Sequence, residues 1–249
     1  MVQNQKSVYE KLGVKRIINA KGCVTTLGGS LMKPEVLDAM ADASRHHVHL
    51  NELLTKASNR IAELTGAEAA FISSGAAACL LLTAAGCLTG KNESAVLKLP
   101  SLSTERNEFL VSIVDEHSYV HQAFRTSGGK VISVGDENNV SVEDYADAIN
   151  SNTAALLFFY GEQSKSQLVE VVELGKKEGI PVIVDAASQL PPKSNLYDLI
   201  EIGADLVVFS GGKGIGGARV SRRRTPPRWP IDRLRATPRP TRPPLPSTT

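Results

Sequence analysis

Two charged residues follow buried apolar runs in the second half of the sequence. Asp185 ends the run 182–185, and Lys213 lies 28 residues later within the glycine-rich run 211–217. A carboxylate at the carboxyl end of a buried strand faces the edge of a sheet where α/β proteins bind ligands. A lysine held by glycines in a sharp turn can act as a nucleophile on a carbonyl carbon. The alternatives are an aspartate that caps the next helix and a solvated lysine in a flexible loop.

Two further features could hold an anion and a flat ring. The run Ser73-Ser74-Gly75-Ala76-Ala77 joins a predicted strand to a predicted helix. Its small residues leave the first amides of the helix accessible, which favours a phosphate seat. His117 follows another predicted strand, where its ring could stack on a cofactor. The alternative for the run 73–77 is an ordinary strand-to-helix connection. The alternative for His117 is a surface histidine.

Several other motifs are excluded by their context. Gly212, Gly214 and Gly217 match the spacing GxGxxG, but no helix follows them and no acid lies about 20 residues further on. Lys213 lacks the glycine spacing and the following hydroxyl residue of a P-loop. The three cysteines show no metal-ligand spacing, so no metal site is expected.

The order of these features is more specific than any one of them. An anion seat, a ring-stacking histidine, a strand-end aspartate and a glycine-flanked lysine succeed one another along the chain. Pyridoxal 5'-phosphate (PLP) needs a group of each kind, for its phosphate, its ring, its pyridine nitrogen and its aldehyde. The sequence therefore predicts a PLP site.

The elements that position these residues alternate between strand and helix. Strands are predicted at 67–73, 109–114, 131–134, 154–159, 182–184 and 206–209. Helices are predicted from Pro34 onward and at 50–64, 76–88, 117–127, 142–149, 167–178 and 197–202. This alternation predicts a three-layer α/β domain with a mostly parallel sheet of about six strands.

Composition divides the chain into an arm (1–33), a large domain (34–217) and a tail (218–249). The tail holds nine arginines, one acid and eight of the 13 prolines, for a net charge of about +8, whereas the rest carries about −6. Such a tail buries almost no apolar surface and is expected to be disordered. It supports only nonspecific phosphate contacts, so specific nucleic-acid binding is not expected. No apolar run reaches the roughly 18 residues of a membrane span, so a cytoplasmic protein without a membrane partner is expected.

The sequence resembles the fold-type-I PLP family that includes selenocysteine synthase (L-seryl-tRNA selenium transferase) and D-glucosaminate-6-phosphate ammonia-lyase. The resemblance covers residues 15–217. It rests on the runs Ile18-Asn19-Ala20, Leu27-Gly28-Gly29-Ser30, Pro34-Glu35-Val36, Glu63-Leu64-Thr65-Gly66-Ala67-Glu68-Ala69, Ser74-Gly75-Ala76-Ala77-Ala78, Asp185-Ala186-Ala187-Ser188-Gln189-Leu190-Pro191 and Ser210-Gly211-Gly212-Lys213-Gly214-Ile215-Gly216-Gly217.

The resemblance implies a role for each candidate residue. Lys213 would be the catalytic Schiff-base lysine, and Asp185 would keep the pyridine nitrogen of PLP protonated. The phosphate would lie against Gly75, Ala76 and Ser210, the ring under His117, and the ring oxygen near Ser188. The implied cofactor-binding set is Ser74, Gly75, Ala76, His117, Asp185, Ser188 and Ser210.

The resemblance also implies a fold and a reaction. It implies an aspartate-aminotransferase-like large domain, here without the small C-terminal domain, and a homodimer or higher homo-oligomer in full-length relatives. The expected reaction is α,β-elimination of ammonia from an amino acid or an amino sugar acid such as D-glucosaminate 6-phosphate. Selenium transfer on seryl-tRNA is an alternative, which the start of the match near residue 15 disfavours. Another is an inactive truncated pseudo-enzyme, because the tail resembles a frameshifted end that replaces the family's next strand.

Overall fold

A parallel β-sheet lies at the centre of the structure, a computed structural model that describes residues 7–113, 120–136, 138–161 and 163–217. Its strands are β1 (Glu108–Ser112), β2 (Lys130–Val134), β3 (Thr153–Phe159), β4 (Val182–Asp185) and β5 (Leu206–Val208). They lie in the order β2-β1-β3-β4-β5, and every neighbouring pair is parallel. His117 and the tail 218–249 lie outside the described residues.

Helices precede the sheet and connect its strands. The first four are α1 (Val8–Lys11), the 3-10 turn η1 (Thr25–Leu27), α2 (Pro34–Ala43) and α3 (Leu50–Thr65). The others are α4 (Ala76–Thr89), α5 (Glu93–Val96), α6 (His121–Thr126), α7 (Val142–Ala148), α8 (Lys165–Glu178) and α9 (Asn195–Glu201). This alternation of helix and strand confirms the predicted three-layer α/β fold.

The sheet has a hydrophobic core on each face, because alternate residues of a strand point to opposite sides. On β3, Leu156 and Phe158 pack into the core that includes residues of α7, α8 and α9. Leu157 and Phe159 pack into the other core, which includes residues of α4 and α6. All seven residues of β3 are buried, as expected for a parallel strand that helices cover on both faces.

Local sequence signals explain where several helices begin and end. Ser141 and Ser164 cap α7 and α8, and each accepts a hydrogen bond from the third residue of its helix in a capping box. Gly66 and Gly179 end α3 and α8 in the left-handed conformation that glycine adopts without steric cost. The helices predicted at 142–149 and 167–178 match α7 and α8 to within two residues.

The strand predicted at 67–73 is wrong. Of these residues only Ser73 takes part in a β-bridge, and the segment is mostly half-buried. A strand needs a neighbouring strand to receive its hydrogen bonds, and apolar composition alone does not supply one. Within the described residues β5 pairs with β4 alone, and the sheet therefore has five strands instead of about six.

Candidate functional site

A cavity of about 630 Å³ opens at the carboxyl end of the sheet. Phe159 and Asp185, the last residues of β3 and β4, line it together with Ser210, two residues beyond β5. The first residues of α4 line it too, and α6 contributes Gln122 and Thr126. The cavity therefore lies where parallel α/β sheets bind their ligands.

Asp185 is fixed at the floor of this cavity. It is 9% exposed, and its main chain pairs with β3 and β5 on either side. One carboxylate oxygen, Oδ1, accepts a hydrogen bond of 2.9 Å from the main-chain N–H of Ala187. The carboxylate is thus held by the strand and by the turn that follows it.

Lys213 reaches the same cavity from the loop after β5. Its Nζ donates a hydrogen bond of 2.5 Å to Oγ of Ser188, which belongs to the turn after Asp185. The loop is closed by the Gly217 N–H, which bonds to the carbonyl of Gly211 at 2.9 Å. The loop also approaches the segment after β4 closely, since a side chain at Gly214 would overlap the carbonyl oxygen of Leu190.

The amino end of α4 forms another wall. Gly75 is the residue before the helix, and its φ of 147° and ψ of 169° suit glycine and disfavour other residues. The Ser73 hydroxyl donates to the Gly75 carbonyl at 3.0 Å, which steadies the turn. The first amides of a helix have no partners within it, and those of residues 76–78 lie at the cavity, where the sequence predicts a phosphate seat.

Seven of the eight predicted site residues line this one cavity, namely Ser74, Gly75, Ala76, Asp185, Ser188, Ser210 and Lys213. The eighth, His117, lies outside the described residues. Asp185 and Lys213 are the charged side chains among the described residues of the lining. The described part of the lining therefore holds one acidic and one basic side chain. The specific roles of these residues stay predictions.

Five polar lining residues were missed by the sequence analysis: Thr25, Gln122, Thr126, Tyr160 and Gln189. Tyr160 directly follows β3, so the strand-end rule that selects Asp185 would also have selected it. Gln189 is held over Gly161, where any side chain would overlap the Gln189 amide. Thr25 has no local signal, because it comes from η1, far from the sheet in sequence.

Two other kinds of feature are absent from the part of the chain that the structure describes. No group of three or more His, Cys, Asp or Glu side chains there could hold a metal ion. No helix of the described segments is long and apolar enough to cross a membrane.

Comparison with known families identifies the chain's relatives. Residues 17–221 match the family model described as L-seryl-tRNA selenium transferase. The chain belongs to this family. It is a family of PLP-dependent fold-type-I proteins, and its lyase and transferase relatives are enzymes.

Curated relatives with different names are about equally similar to the chain. A 5'-C-glycyluridine monooxygenase-decarboxylase from Streptomyces is 34% identical over 84% of this chain and 53% of its own length. The D-glucosaminate-6-phosphate ammonia lyase of Salmonella typhimurium is 32% identical over 83% of this chain and 57% of its own length. The L-seryl-tRNA(Sec) selenium transferase of Aquifex aeolicus is 32% identical over 83% and 50%. The chain thus spans about half the length of these relatives.

Solved structures agree with this assignment. A D-glucosaminate-6-phosphate ammonia-lyase structure superposes with a TM-score of 0.82 at 30% identity, over 90% of this chain and 62% of that one. An aspartate aminotransferase from Thermotoga maritima superposes with a TM-score of 0.58 at 18% identity, over 87% and 60%, which shows the shared fold alone.

Proposed function

We propose that this chain binds PLP in the cavity, with Lys213 as the residue that holds the cofactor covalently. The observation that carries the proposal is the meeting of three groups in one cavity: the Lys213 amine, the Asp185 carboxylate and the amino end of α4. The membership of a PLP-dependent family supports it.

The chemistry of the lining fits PLP group by group. The amides of Gly75 and Ala76, with the hydroxyls of Ser74 and Ser210, match a phosphate, which prefers N–H and O–H donors at a helix amino end. The Asp185 carboxylate matches a protonated pyridine nitrogen, because a charge-assisted hydrogen bond forms between them. The cavity of about 630 Å³ leaves room for a substrate beside the cofactor.

The proposed reaction is an α,β-elimination on an amino acid or amino sugar acid. Bound PLP supplies an electron sink for the bond that breaks at the substrate Cα. Lys213 Nζ takes the Cα proton, since it is the amine among the described lining residues. Ser188, which holds Nζ by a hydrogen bond, keeps the amine inside the cavity.

The atoms of the net reaction balance without a further reactant. The Cα–H and Cβ–OH bonds break and water leaves. The resulting unsaturated amine is hydrolysed by one water to a 2-keto acid and ammonia. We propose D-glucosaminate 6-phosphate as the substrate because relatives of that activity match the chain in sequence and in structure.

The cofactor assignment is tested with purified full-length chain and PLP. Reduction with borohydride followed by peptide mass spectrometry is expected to find a pyridoxyl group on Lys213. Lys213→Ala should remove both that label and the visible absorbance of protein-bound PLP. Lys193→Ala, at an exposed lysine outside the cavity lining, is the matched control and should keep both. A label on another lysine, or an unlabelled wild type, would refute the assignment.

The reaction is tested on unreduced protein loaded with PLP, with D-glucosaminate 6-phosphate as the substrate. Release of ammonia and a 2-keto acid in equal amounts supports the lyase proposal. Selenium incorporation from a selenium donor into seryl-tRNA instead would favour transferase chemistry. PLP binding without any turnover would favour the pseudo-enzyme.

An oxidative decarboxylation is a second candidate reaction, because the relative at 34% identity is named a monooxygenase-decarboxylase. Both reactions need an electron sink next to the substrate Cα, so the cavity suits either. Oxygen consumption with release of carbon dioxide from a glycyl-nucleoside, in place of ammonia release, would select this second function.

A further inference from the structure

A short turn near the amino terminus lies against the loop that carries Lys213. This turn, residues 24–30, contains η1 and two consecutive glycines, Gly28 and Gly29, with φ of 92° and 81°. The Gly29 N–H returns to the carbonyl of Val24 at 3.0 Å, which closes the turn. Two left-handed residues in succession turn the chain sharply, so Ser30 points back toward the sheet region.

Three observations join this turn to one peptide group of the loop. The main-chain N–H of Ser30 donates to the Gly212 carbonyl at 2.9 Å, and the Ser30 hydroxyl donates to the same oxygen at 3.1 Å. A side chain at Gly29 would overlap that oxygen. The partners are 182 residues apart in sequence, so local chain geometry does not bring them together.

The position of this contact matters because the Gly212 carbonyl belongs to the peptide bond that leads into Lys213. A peptide group is planar, so fixing its oxygen fixes the direction in which the Lys213 backbone leaves it. Gly214 of the same loop lies close to the carbonyl of Leu190. The loop therefore contacts two segments, the turn before α2 and the segment after β4.

The contact is not a by-product of general packing. The neighbouring chain is exposed, with Ile18 at 98% and Leu31 at 97% exposure, whereas Gly29 and Ser30 are half-buried. Thr25 of the same turn lines the cavity. The turn thus contributes Thr25 to the cavity lining and also holds the loop of Lys213 by two hydrogen bonds.

We infer that Ser30 is a positioning residue for Lys213, an inference that rests on the proposed PLP function. The double hydrogen bond holds the Gly212–Lys213 peptide in the orientation that directs Nζ toward Ser188 and the cavity. Without the Ser30 hydroxyl, the peptide rotates more freely, and the amine spends less time where a cofactor aldehyde would meet it.

The first test measures the loop without cofactor, by hydrogen exchange of the amides of residues 211–217. Ser30→Ala should raise their exchange rates, and Gly29→Ala should raise them further because its side chain displaces the Gly212 carbonyl. Ser30→Thr retains the hydroxyl and should restore the wild-type rates. Ser44→Ala is the matched control, since the Ser44 hydroxyl also donates to a carbonyl, that of Ala41 on α2, away from the loop.

The second test measures PLP binding by the same variants across pH. A lost hydrogen bond of ordinary net strength predicts a dissociation constant raised about two- to tenfold in Ser30→Ala, with near wild-type values in Ser30→Thr and Ser44→Ala. Unchanged loop exchange in Ser30→Ala, or faster exchange with unchanged PLP affinity, would overturn the positioning role. Wild-type protein that carries no pyridoxyl label on Lys213 after reduction refutes the proposed function itself, so the two failures are distinguishable.

Discussion

The region before the sheet and the sheet region bury their side chains to very different extents. Helices α1 and α2 bury no residue, and the 16 residues of α3 bury only Ser58, Ala62 and Thr65. By contrast, β3 buries every residue, and β4 and β5 do the same. The fold's stability therefore resides in the sheet region, while the amino-terminal region contributes contacts to the site.

The difference shows that an apolar helix face does not by itself create a core. Leu37 and Met40 on α2 and Leu53 on α3 are 48%, 46% and 51% exposed, although their spacing is that of a buried helix stripe. Hydrophobic patterning predicts these helices correctly, but burial also requires a surface to pack against. Within the described residues, that surface is present for α4 and α6 to α9, and largely absent for α2.

The largest effect is expected from truncation of a core side chain in the sheet region. Phe158→Ala removes a ring that is 0% exposed, which should lower the free energy of unfolding by about 3–5 kcal/mol. Leu53→Ala on α3 should lower it by no more than about 1 kcal/mol, because half of that side chain is already in water. Urea unfolding followed by circular dichroism measures both. Equal losses in the two variants would contradict the division into a stable and a weakly packed region.

The next effect concerns the charge that the sheet region brings to the site. Asp185→Asn keeps the shape of the side chain but removes its charge, and a hydrogen bond to a charged group contributes about 1.5–3 kcal/mol. PLP affinity should therefore fall roughly 10- to 100-fold, as measured by titration of the visible absorbance.

The control for this variant is an aspartate that contacts the other end of β4. Asp205 accepts a hydrogen bond of 2.9 Å from the N–H of Val182, the first residue of β4. Asp205→Asn makes the same chemical change far from the cavity lining and should leave PLP affinity unchanged. Equal loss of affinity in both variants would show that Asp185 acts through strand stability instead of through the cofactor.

The sheet region was predictable from sequence to within a few residues. Buried runs such as 154–159 and the glycine stop at Gly179 are local signals, and parallel strands bring their carboxyl ends to one edge. The convergence of Asp185 and Lys213 could therefore be expected from the sequence alone. The strand predicted at 67–73 failed because pairing depends on a neighbour that composition does not reveal.

The contact between Ser30 and Gly212 could not be predicted in the same way. The run Leu27-Gly28-Gly29-Ser30 contributes to the family resemblance, yet nothing in it indicates a partner 182 residues away. The need for glycine at position 29 becomes clear only in the structure, where the carbonyl oxygen of Gly212 leaves no room for a side chain. Thr25 lines the cavity because the turn that contains it lies against the loop of Lys213. The sequence around Thr25 does not indicate that contact either.

A smaller effect compares two helix caps of the same kind. Ser141 caps α7, which buries Tyr145 in the core, whereas Ser7 caps α1, which buries nothing. Ser141→Ala should lower the free energy of unfolding by about 1 kcal/mol. Ser7→Ala should not change it measurably, because α1 can unravel while the sheet region stays folded. Thermal or urea unfolding checks the pair, and a loss of similar size from Ser7→Ala would mean that α1 unfolds together with the sheet.

The smallest effect is a dependence on pH that one surface ion pair should cause. Lys165 on α8 donates a hydrogen bond of 2.9 Å to Asp198 on α9, which lowers the pKa of Asp198 and raises the pKa of Lys165. A carboxyl group whose pKa is lower in the folded state stabilises the fold above its unfolded pKa of about 3.9. That stability is lost as pH falls through the lower, folded pKa. The raised pKa of Lys165 has its effect at alkaline pH. There, stability is lost as pH rises through the folded pKa of the lysine.

Glu10 on α1 provides the comparison in the amino-terminal region, because hydrogen bonds from Ser7 lower its pKa in the same direction. Asp198→Asn should therefore flatten the acid limb of the stability curve, measured by urea unfolding between about pH 2 and pH 6 at low salt. Glu10→Gln should leave the curve unchanged, because α1 buries no residue and is expected to unfold independently of the sheet region. Concentrated salt should shrink the Asp198 effect, since both partners are partly exposed and the Debye length falls to about 3 Å at 1 M. An acid limb that responds to Glu10→Gln as strongly as to Asp198→Asn would place α1 within the stable region and remove the contrast between the two parts of the molecule.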